Sequence, residues 1–384
     1  MKLYTMQSVR ERREYIELTT KTHLAHIGSF SLDESVAAHR HCEQMIGVAQ
    51  VPMGIAGPLR IRFGQSQKDY YIPLATTEGT LVASVSRGCR AIFKSGGVSV
   101  YAHRVGTTRG PVFSVRSLEE NSRLYRFVKE HHDLLKKTAE KTSAHLTYKK
   151  AEMSGVASYA YIRFYFETGD AMGMNMATIA TQKLVELIEE KTSARCISLA
   201  GNYDSDKKPA WLNVIGKRGW KAWAEIEIPR DIVQKVLKVT PEAFYKTWLT
   251  KCMVGSALSG SMGFNAHIAN VIAALFIATG QDPAHVVEGS LGMTIVEVRG
   301  ENLYVSVYLP SLMIGTVGGG TSLATQREAL SIMGVAGSGK VAEFALVVIG
   351  AVLAGEVSLL ASLAEGSLAE AHERLARGHS FTRS

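Results

Sequence analysis

The chain has 384 residues, 46% of them apolar and 20% charged, with a formal net charge of +8. That composition excludes a disordered or fibrous protein and is enough for two or three domains around a large core. The excess charge does not read as a nucleic-acid footprint: no long Lys/Arg run occurs and aromatics do not interleave with basic residues, so an acidic small ligand explains it equally well.

In chain order, residues 1–45 are polar and helix-prone, with Arg12, Arg13 and Glu17 expected on a solvent face, and lead into a Pro/Gly-rich stretch at 52–58. Tyr70 to Leu74 is β-prone. After Gly79 a helical face of Leu81, Val82, Val85, Ala91 and Ile92 follows, which sets Glu78 at a strand-to-helix junction, as a cap or as a functional acid. Thr108-Arg109-Gly110-Pro111 looks like the start of an excursion. Beyond it, Ser117-Leu118-Glu119-Glu120 has capping-box spacing and opens an amphipathic helix whose apolar face is expected to run through Leu118, Leu124, Tyr125, Val128, Leu134 and Leu135. Val156 to Glu167 alternates as a strand, with Ala160, Ile162, Phe164 and Phe166 on one face. A helix from Ala171 to about Glu190 and a strand from Trp220 to Ile228 complete a module that reads as α+β with an antiparallel sheet.

From about residue 240 the chain is helical and rich in Gly, Ala and Ser. Its most apolar stretch, Phe344 to Gly355, is about twelve residues, shorter than the roughly 18 to 20 that a membrane span needs, and is expected to be a core helix bracketed by Glu343 and Glu356. The N-terminus has no signal-peptide core. Cys42, Cys89, Cys196 and Cys252 form no C-x-x-C pair, so neither a zinc site nor a disulfide framework is expected, and a reducing cytoplasm fits. No G-x-G-x-x-G occurs. Gly334 to Lys340 has Walker A spacing, but Val341 replaces the Ser or Thr that would ligate Mg²⁺, so it reads as a loop and helix start.

Five segments carry unusual runs: Thr76-Thr77-Glu78-Gly79; Gly169-Asp170-Ala171-Met172-Gly173-Met174-Asn175-Met176; Gly201-Asn202-Tyr203 with Asp206-Lys207-Lys208-Pro209; Gly280-Gln281-Asp282; and Gly315-Thr316-Val317-Gly318-Gly319-Gly320-Thr321. With Glu43 and Val51 to Leu59 before them and His372 after, they make the chain resemble 3-hydroxy-3-methylglutaryl-CoA (HMG-CoA) reductase over most of its length, in a soluble form similar to class I.

The resemblance implies an α+β fold. A large mixed substrate domain (46–110 and 231–384) with a central long helix would follow a helical N-terminal region (1–45) and carry an inserted ferredoxin-like, antiparallel-sheet cofactor domain (111–230). It implies NADPH-dependent reduction of HMG-CoA to mevalonate and CoA in isoprenoid biosynthesis, without metal. The enzyme would be a cytoplasmic homodimer or dimer-based oligomer, with no membrane or nucleic-acid partner. An NADH-preferring or physiologically oxidative reductase is the alternative within this class; a basic nucleotide-binding protein without redox activity is the alternative outside it.

Lys207 would stabilise the oxyanion and Glu78 would protonate it, which calls for a carboxyl that holds a proton near neutrality. Asp282 would couple to both, and His372, with His379 as its competitor, would protonate the departing thiolate. Arg109 would grip the hydroxyl or carboxylate end of the substrate, Lys208 would meet its carboxylate, and Asn270, beside them, would orient the acid and the lysine by hydrogen bonds, while Arg87, with Arg90 and Lys94, would face the phosphates of CoA. For the cofactor, Ser122, Arg123 and Arg126 would meet the 2′-phosphate of NADPH, although both arginines also read as a solvated helix face. Met172, Gly173, Met174 and Asn175 would bring backbone N–H groups to the pyrophosphate. Asp170 would be a ribose-side or structural group, or simply a helix cap, and Gly318, Gly319 and Gly320 would give bare backbone against a ring.

The chain departs from the family pattern where Glu43-Gln44-Met45-Ile46-Gly47 replaces Glu-Asn-Val-Ile-Gly and where Ala200 replaces a Ser. Near Met262-Gly263-Phe264 it is one residue shorter, and Gly378 stands where animal reductases carry a regulatory phosphoserine.

Overall fold

The computed structural model describes residues 3–64 and 66–366. Helix α1 (Val9–Thr20) starts on a capping box, with the Ser8 hydroxyl accepting from the Glu11 N–H and the Glu11 carboxylate returning to the Ser8 N–H. Helix α2 (Glu34–Arg40) opens on Asp33. Val9, Ala37 and Met45 form a small apolar cluster between them. Arg12, expected in solvent, is buried. Its guanidinium donates to the carbonyls of Met45 (2.8 Å) and Met6 (2.9 Å), which satisfies the charge and ties α1 to the 42–48 segment.

Strands β1 (Met53–Phe63) and β2 (Ser66–Ala75) form an antiparallel hairpin, followed by α3 (Leu81–Lys94) and β3 (Val98–Arg109). Next come β4 (Val112–Ser114), α4 (Leu118–Glu130), α5 (His132–Glu140), β5 (Thr147–Val156), β6 (Tyr159–Glu167), α6 (Met174–Lys191), β7 (Arg195–Ser198), α7 (Trp211–Ile215) and β8 (Arg218–Ile228). The expected single helix after Ser117 breaks at His131. Its Leu124, Val128 and Leu135 are buried, whereas Leu118, Tyr125 and Leu134 face solvent. The expected strand from Val156 begins at Tyr159 instead, after a turn in which Ala157 takes a φ of 52°. Strand β5 had no clear signature because Lys149, Lys150 and Glu152 interrupt its apolar residues; it pairs only with β6, at the sheet edge.

In this unit the order β7-β4-β6, with β5 on the far side of β6, and the antiparallel pairing throughout give the ferredoxin-like arrangement of two β-α-β halves. Phe113, Ile162, Phe164, Phe166, Leu184 and Ile188 fill its core. Strand β3 joins this unit to the rest of the molecule. Its N-terminal part lies parallel to β1 and antiparallel to β8, and Thr107–Arg109 then pair with β6. Strand β8, within the expected bounds of the inserted domain, contributes Trp220, Ala222, Ala224, Ile226 and Ile228 to the larger core instead.

The remainder runs through α8 (Arg230–Ile232), α9 (Pro241–Trp248), α10 (Ser256–Leu258), α11 (Ile268–Thr279), α12 (Val286–Gly289), β9 (Met293–Arg299), β10 (Asn302–Leu312), α13 (Ala324–Ile332) and α14 (Val341–Glu365). Strand β10 lies between β8 and β9. Helix α14 is the central element of the larger core. The apolar stretch Phe344 to Gly355 is the buried middle of this 25-residue helix, which by length and composition could cross a membrane, but 89% of its most apolar window is buried inside the fold. Glu356 does not end it. This carboxylate is fully buried within the helix and accepts from the N–H groups of Ala266 and His267 (2.7 Å each) and from the Thr294 hydroxyl (2.6 Å). Three donors offset the cost of burying the charge, so the apolar helix continues through it.

Candidate active site

Glu78 lies in the turn between β2 and α3, its N–H donating to Thr76 Oγ1 at 3.0 Å. The helix begins only at Leu81, and its N-cap, Thr80, sits at a φ of 81° with no side-chain capping bond. Glu78 is therefore not a cap. Its carboxylate is exposed and accepts from Asn270 Nδ2 at 3.1 Å, a residue in the first turn of α11. Among the described residues it makes no ion pair with Lys207.

Lys207 instead pairs with Asp282, Nζ to Oδ2 at 2.8 Å, both side chains about one-third exposed. Asp282 follows α11 and caps the short turn after it by accepting the Ala284 N–H. Burial alone would push its carboxyl upward, but the Lys207 ammonium, the Ala284 N–H and His285 outweigh burial and hold it below its usual value. The Lys207 loop is strained: Asn202, Ser205 and Lys207 all adopt positive φ, which non-glycine residues rarely do. Buried Asn213 organises it, donating to the carbonyls of Ser205 (2.9 Å) and Lys208 (2.8 Å) and accepting from the Ser205 hydroxyl. The Lys208 side chain is exposed. Arg109 spends its guanidinium on Thr178 (2.7 and 3.0 Å) and on Asp204 (3.2 Å), so it fastens α6 to this loop.

Behind Lys207 lies a buried charged cluster that sequence reasoning missed. Arg218 Nη1 reaches both Asp206 Oδ1 and Glu288 Oε1 at 2.8 Å, and His285 Nδ1 lies 2.8 Å from the same Glu288 oxygen. Arg218, His285 and Glu288 are fully buried. Asp206, His285 and Glu288 have the donor set of a cation site, and the Arg218 guanidinium fills it. Burial opposes ionisation of Asp206, yet Arg218 first, then His285 and Arg109, hold its carboxyl below the usual value. The available signal was the spacing Asp282-x-x-His285-x-x-Glu288, which puts His285 and Glu288 of this cluster within two short turns of Asp282; nothing local placed Asp206 and Arg218 beside them.

A cavity of about 520 Å³ is lined by residues 171–176, 280–283 and 317–321, which brings three of the sequence motifs together with Asp282 on its wall. Gly173 caps α6 at a φ of 87°, and a Cβ there would strike the Thr168 side chain at 2.3 Å. Among the described residues no side chain caps α6, so its first N–H groups lack a side-chain acceptor beside the cavity. Gly280, at a φ of 70°, lets the Asp282 turn rest on the glycine loop; a Cβ there would lie 2.3 Å from the Gly320 carbonyl oxygen. Gly318 and Gly319 also take positive φ.

Asp170 does not cap its own helix. Its carboxylate accepts from the N–H groups of Gly339 (2.8 Å), Lys340 (3.0 Å) and Val341 (3.1 Å), so the Walker-like loop is already occupied by an internal anion at the start of α14. Ser122, Arg123 and Arg126 lie exposed on α4 and do not line the 520 Å³ cavity; Arg123 approaches Glu119 at 3.7 Å. Arg87 is anchored to α14 through Ser358 and Ser362, and it lines a separate cavity of about 810 Å³ with Arg90, Lys94, Lys235 and Lys238. His372 and His379 lie outside the described residues.

A family model described as hydroxymethylglutaryl-coenzyme A reductase matches residues 8–377. The chain is 50% identical over 373 residues to the 3-hydroxy-3-methylglutaryl-coenzyme A reductase of Methanothermobacter thermautotrophicus, covering 97% of this chain and 94% of that one. It is 39% identical to 3-hydroxy-3-methylglutaryl coenzyme A reductase 1 of Cannabis sativa, covering 95% of this chain and 65% of the plant protein. Among solved structures, the class II reductase of Streptococcus pneumoniae, bound to NADPH in open conformations, superposes with a TM-score of 0.69 at 18% identity, covering 94% of this chain and 98% of that one, a likeness of fold.

Proposed function

The chain belongs to the hydroxymethylglutaryl-coenzyme A reductase family, and from that premise we infer that it reduces HMG-CoA to mevalonate and CoA at the Lys207–Asp282 pair with NADPH. The observation that carries this reading is the common wall: Asp282, held by Lys207, lines the same cavity as the uncapped N-terminus of α6 and the bare backbone at 318–320. These groups suit a dinucleotide, since free N–H groups can meet a pyrophosphate and glycine backbone can lie against a ring. When bound, NADPH supplies the hydride equivalents.

The protein's own part is charge and proton handling. Lys207 gives a fixed positive charge to the thioester-derived oxygen, and Asp282 aims that ammonium. Glu78, oriented by Asn270, is the acid that delivers a proton to the same oxygen. His372 has the proton for the departing thiolate. Lys208, exposed beside a cavity of about 650 Å³ that Lys251 and Pro209 line, is suited to the substrate carboxylate. The five cations around the 810 Å³ cavity suit the phosphates of CoA. Arg109 acts indirectly, through the loop it fastens to α6.

The finer reading is a class I-type, cytoplasmic enzyme working as a dimer, with residues 111 to about 217 carrying the cofactor. Support comes from the Gly-Asp-Ala-Met-Gly-Met-Asn-Met form of the cofactor loop, the unpaired cysteines, and the exposed apolar side chains of Val51, Met53 and Ile55 at the start of β1. The test is HMG-CoA-dependent loss of reduced-nicotinamide absorbance, with NADPH beside NADH and with Glu78→Gln beside the native protein. Turnover that prefers NADPH and disappears in the variant is the expected result. Native turnover with the variant unimpaired would remove Glu78 from the mechanism.

A further inference from the structure

His285 has no part in the chemistry described so far, yet it is fully buried and directed at that chemistry. Its Nδ1 lies 2.8 Å from Glu288 Oε1, an oxygen that also receives Arg218 Nη1 at 2.8 Å and the Lys207 N–H at 3.3 Å. A carboxylate oxygen only accepts, so Nδ1 carries a hydrogen. Among the described residues the other ring nitrogen, Nε2, has no hydrogen-bond partner, and it lies 3.8 Å from Asp282 Oδ2, the oxygen that holds Lys207. A neutral ring in this tautomer would point a lone pair at a carboxylate in a site shielded from water, whereas a doubly protonated ring would point N–H at it.

The charge balance favours the second arrangement. Among the described residues, those facing His285 are Asp206 (3.8 Å), Asp282 and Glu288, while Arg218 and Lys207 are the permanent cations bound to those three; Arg109 is matched by Asp204. Three carboxylates against two cations leave one negative charge, which an imidazolium closes.

We propose that His285 is a positioning residue, an imidazolium clasped by Glu288 that backs the Asp282 carboxylate and so fixes the height and direction of the Lys207 ammonium. The proposal rests on the reading of Lys207 and Asp282 as reaction-site groups. The two cations then approach Asp282 from different elements, Lys207 from the strained 202–207 loop and His285 from the turn after α11, so the carboxylate cannot swing to follow either one alone.

Two measurements test it. In protein labelled with ¹⁵N-histidine, with the His285 resonances assigned by their loss in His285→Gln, both ring nitrogens should be protonated at neutral pH. An unprotonated Nε2 would overturn the proposal, and this readout needs no turnover, so it stands apart from failure of the reductase reading. In kinetics, His285→Asn, which retains a donor towards Glu288 but places no charge at Asp282, should lower kcat by about tenfold, the scale for residues that orient a functional group from behind. NADPH affinity should stay within about twofold, and the pH profile of kcat should lose its native shape. A fall in kcat with an unchanged profile, or native kcat in the variant, would show that the ring only fills space.

Discussion

The Asp170 carboxylate accepts the Lys340 N–H at 3.0 Å, so a residue of the loop before α6 also caps the longest helix of the molecule. Gly339 and Val341 donate to the same side chain, and the Asp170 carbonyl receives the Thr316 N–H at 2.8 Å. One residue thus joins the loop before α6, the glycine-rich loop and the start of α14. Asp170→Ala should cost about 1–2 kcal/mol, the usual scale for losing a cap, in urea unfolding, and should weaken NADPH binding in fluorescence titration. Asp170→Asn, which retains one acceptor, should fall between. Native stability in the alanine variant would show that water replaces the cap.

Lys207→Ala removes the cation from the Asp282 pair but leaves the cavity lined as before. The expected outcome is a fall in kcat of about a hundredfold or more, the loss found when one stabiliser of a developing oxyanion is removed, with NADPH affinity unchanged within a few-fold. Steady-state rates together with direct cofactor titration separate the two effects.

Arg123 and Arg126 lie on the exposed face of α4, outside the 520 Å³ cavity. If they meet the 2′-phosphate, they do so where the cofactor reaches out of the protein. Arg123→Ala with Arg126→Ala should then raise KM for NADPH by about tenfold or more while leaving KM for NADH nearly unchanged, since a charge-assisted contact is worth about 1.5–3 kcal/mol. Equal effects on both cofactors would return the two arginines to the solvated face.

The Asp206 carboxyl is held below its usual value by Arg218. A depressed folded value means that this stabilisation is complete above the ordinary aspartate range and is lost as pH falls through the folded value. Asp206→Asn should therefore destabilise the protein at neutral pH by about 3 kcal/mol, the lower end for breaking a buried pair, because Glu288 still faces Arg218. The gap between native and variant stability should narrow below about pH 4. Chemical denaturation at several pH values measures it, and a gap that stays constant into acid would contradict the linkage.

Much of the fold was legible locally. The alternation of Ala160, Ile162, Phe164 and Phe166, the capping box at Ser117 and the helical face after Gly79 report themselves, because an apolar side of a strand or helix imposes a period on the sequence, although β6 is not half-buried as its alternation suggests, since Arg163 and Tyr165 on its other face are fully buried. The motif runs that identify the family are equally local, since each is a turn or helix start that needs particular backbone freedom. Three-dimensional packing decided the rest. Strand β5 is an edge strand whose Lys and Glu residues carry no periodic signal, and β8 joined the larger core because β3 and β10 flank it. Helix α14 keeps Glu356 fully buried inside it because donors from two distant segments meet its charge, which no local pattern shows. In the site, Lys207, Asp282 and Glu78 could be named from sequence, as could Asn270 as the group that orients the acid, but the buried Arg218, His285 and Glu288 behind them could not. Lys207 meets Asp282 and Glu78 meets Asn270 only after two cores and a shared strand have formed, and Arg218, His285 and Glu288 act strongly on one another only because burial removes the water that would otherwise screen them.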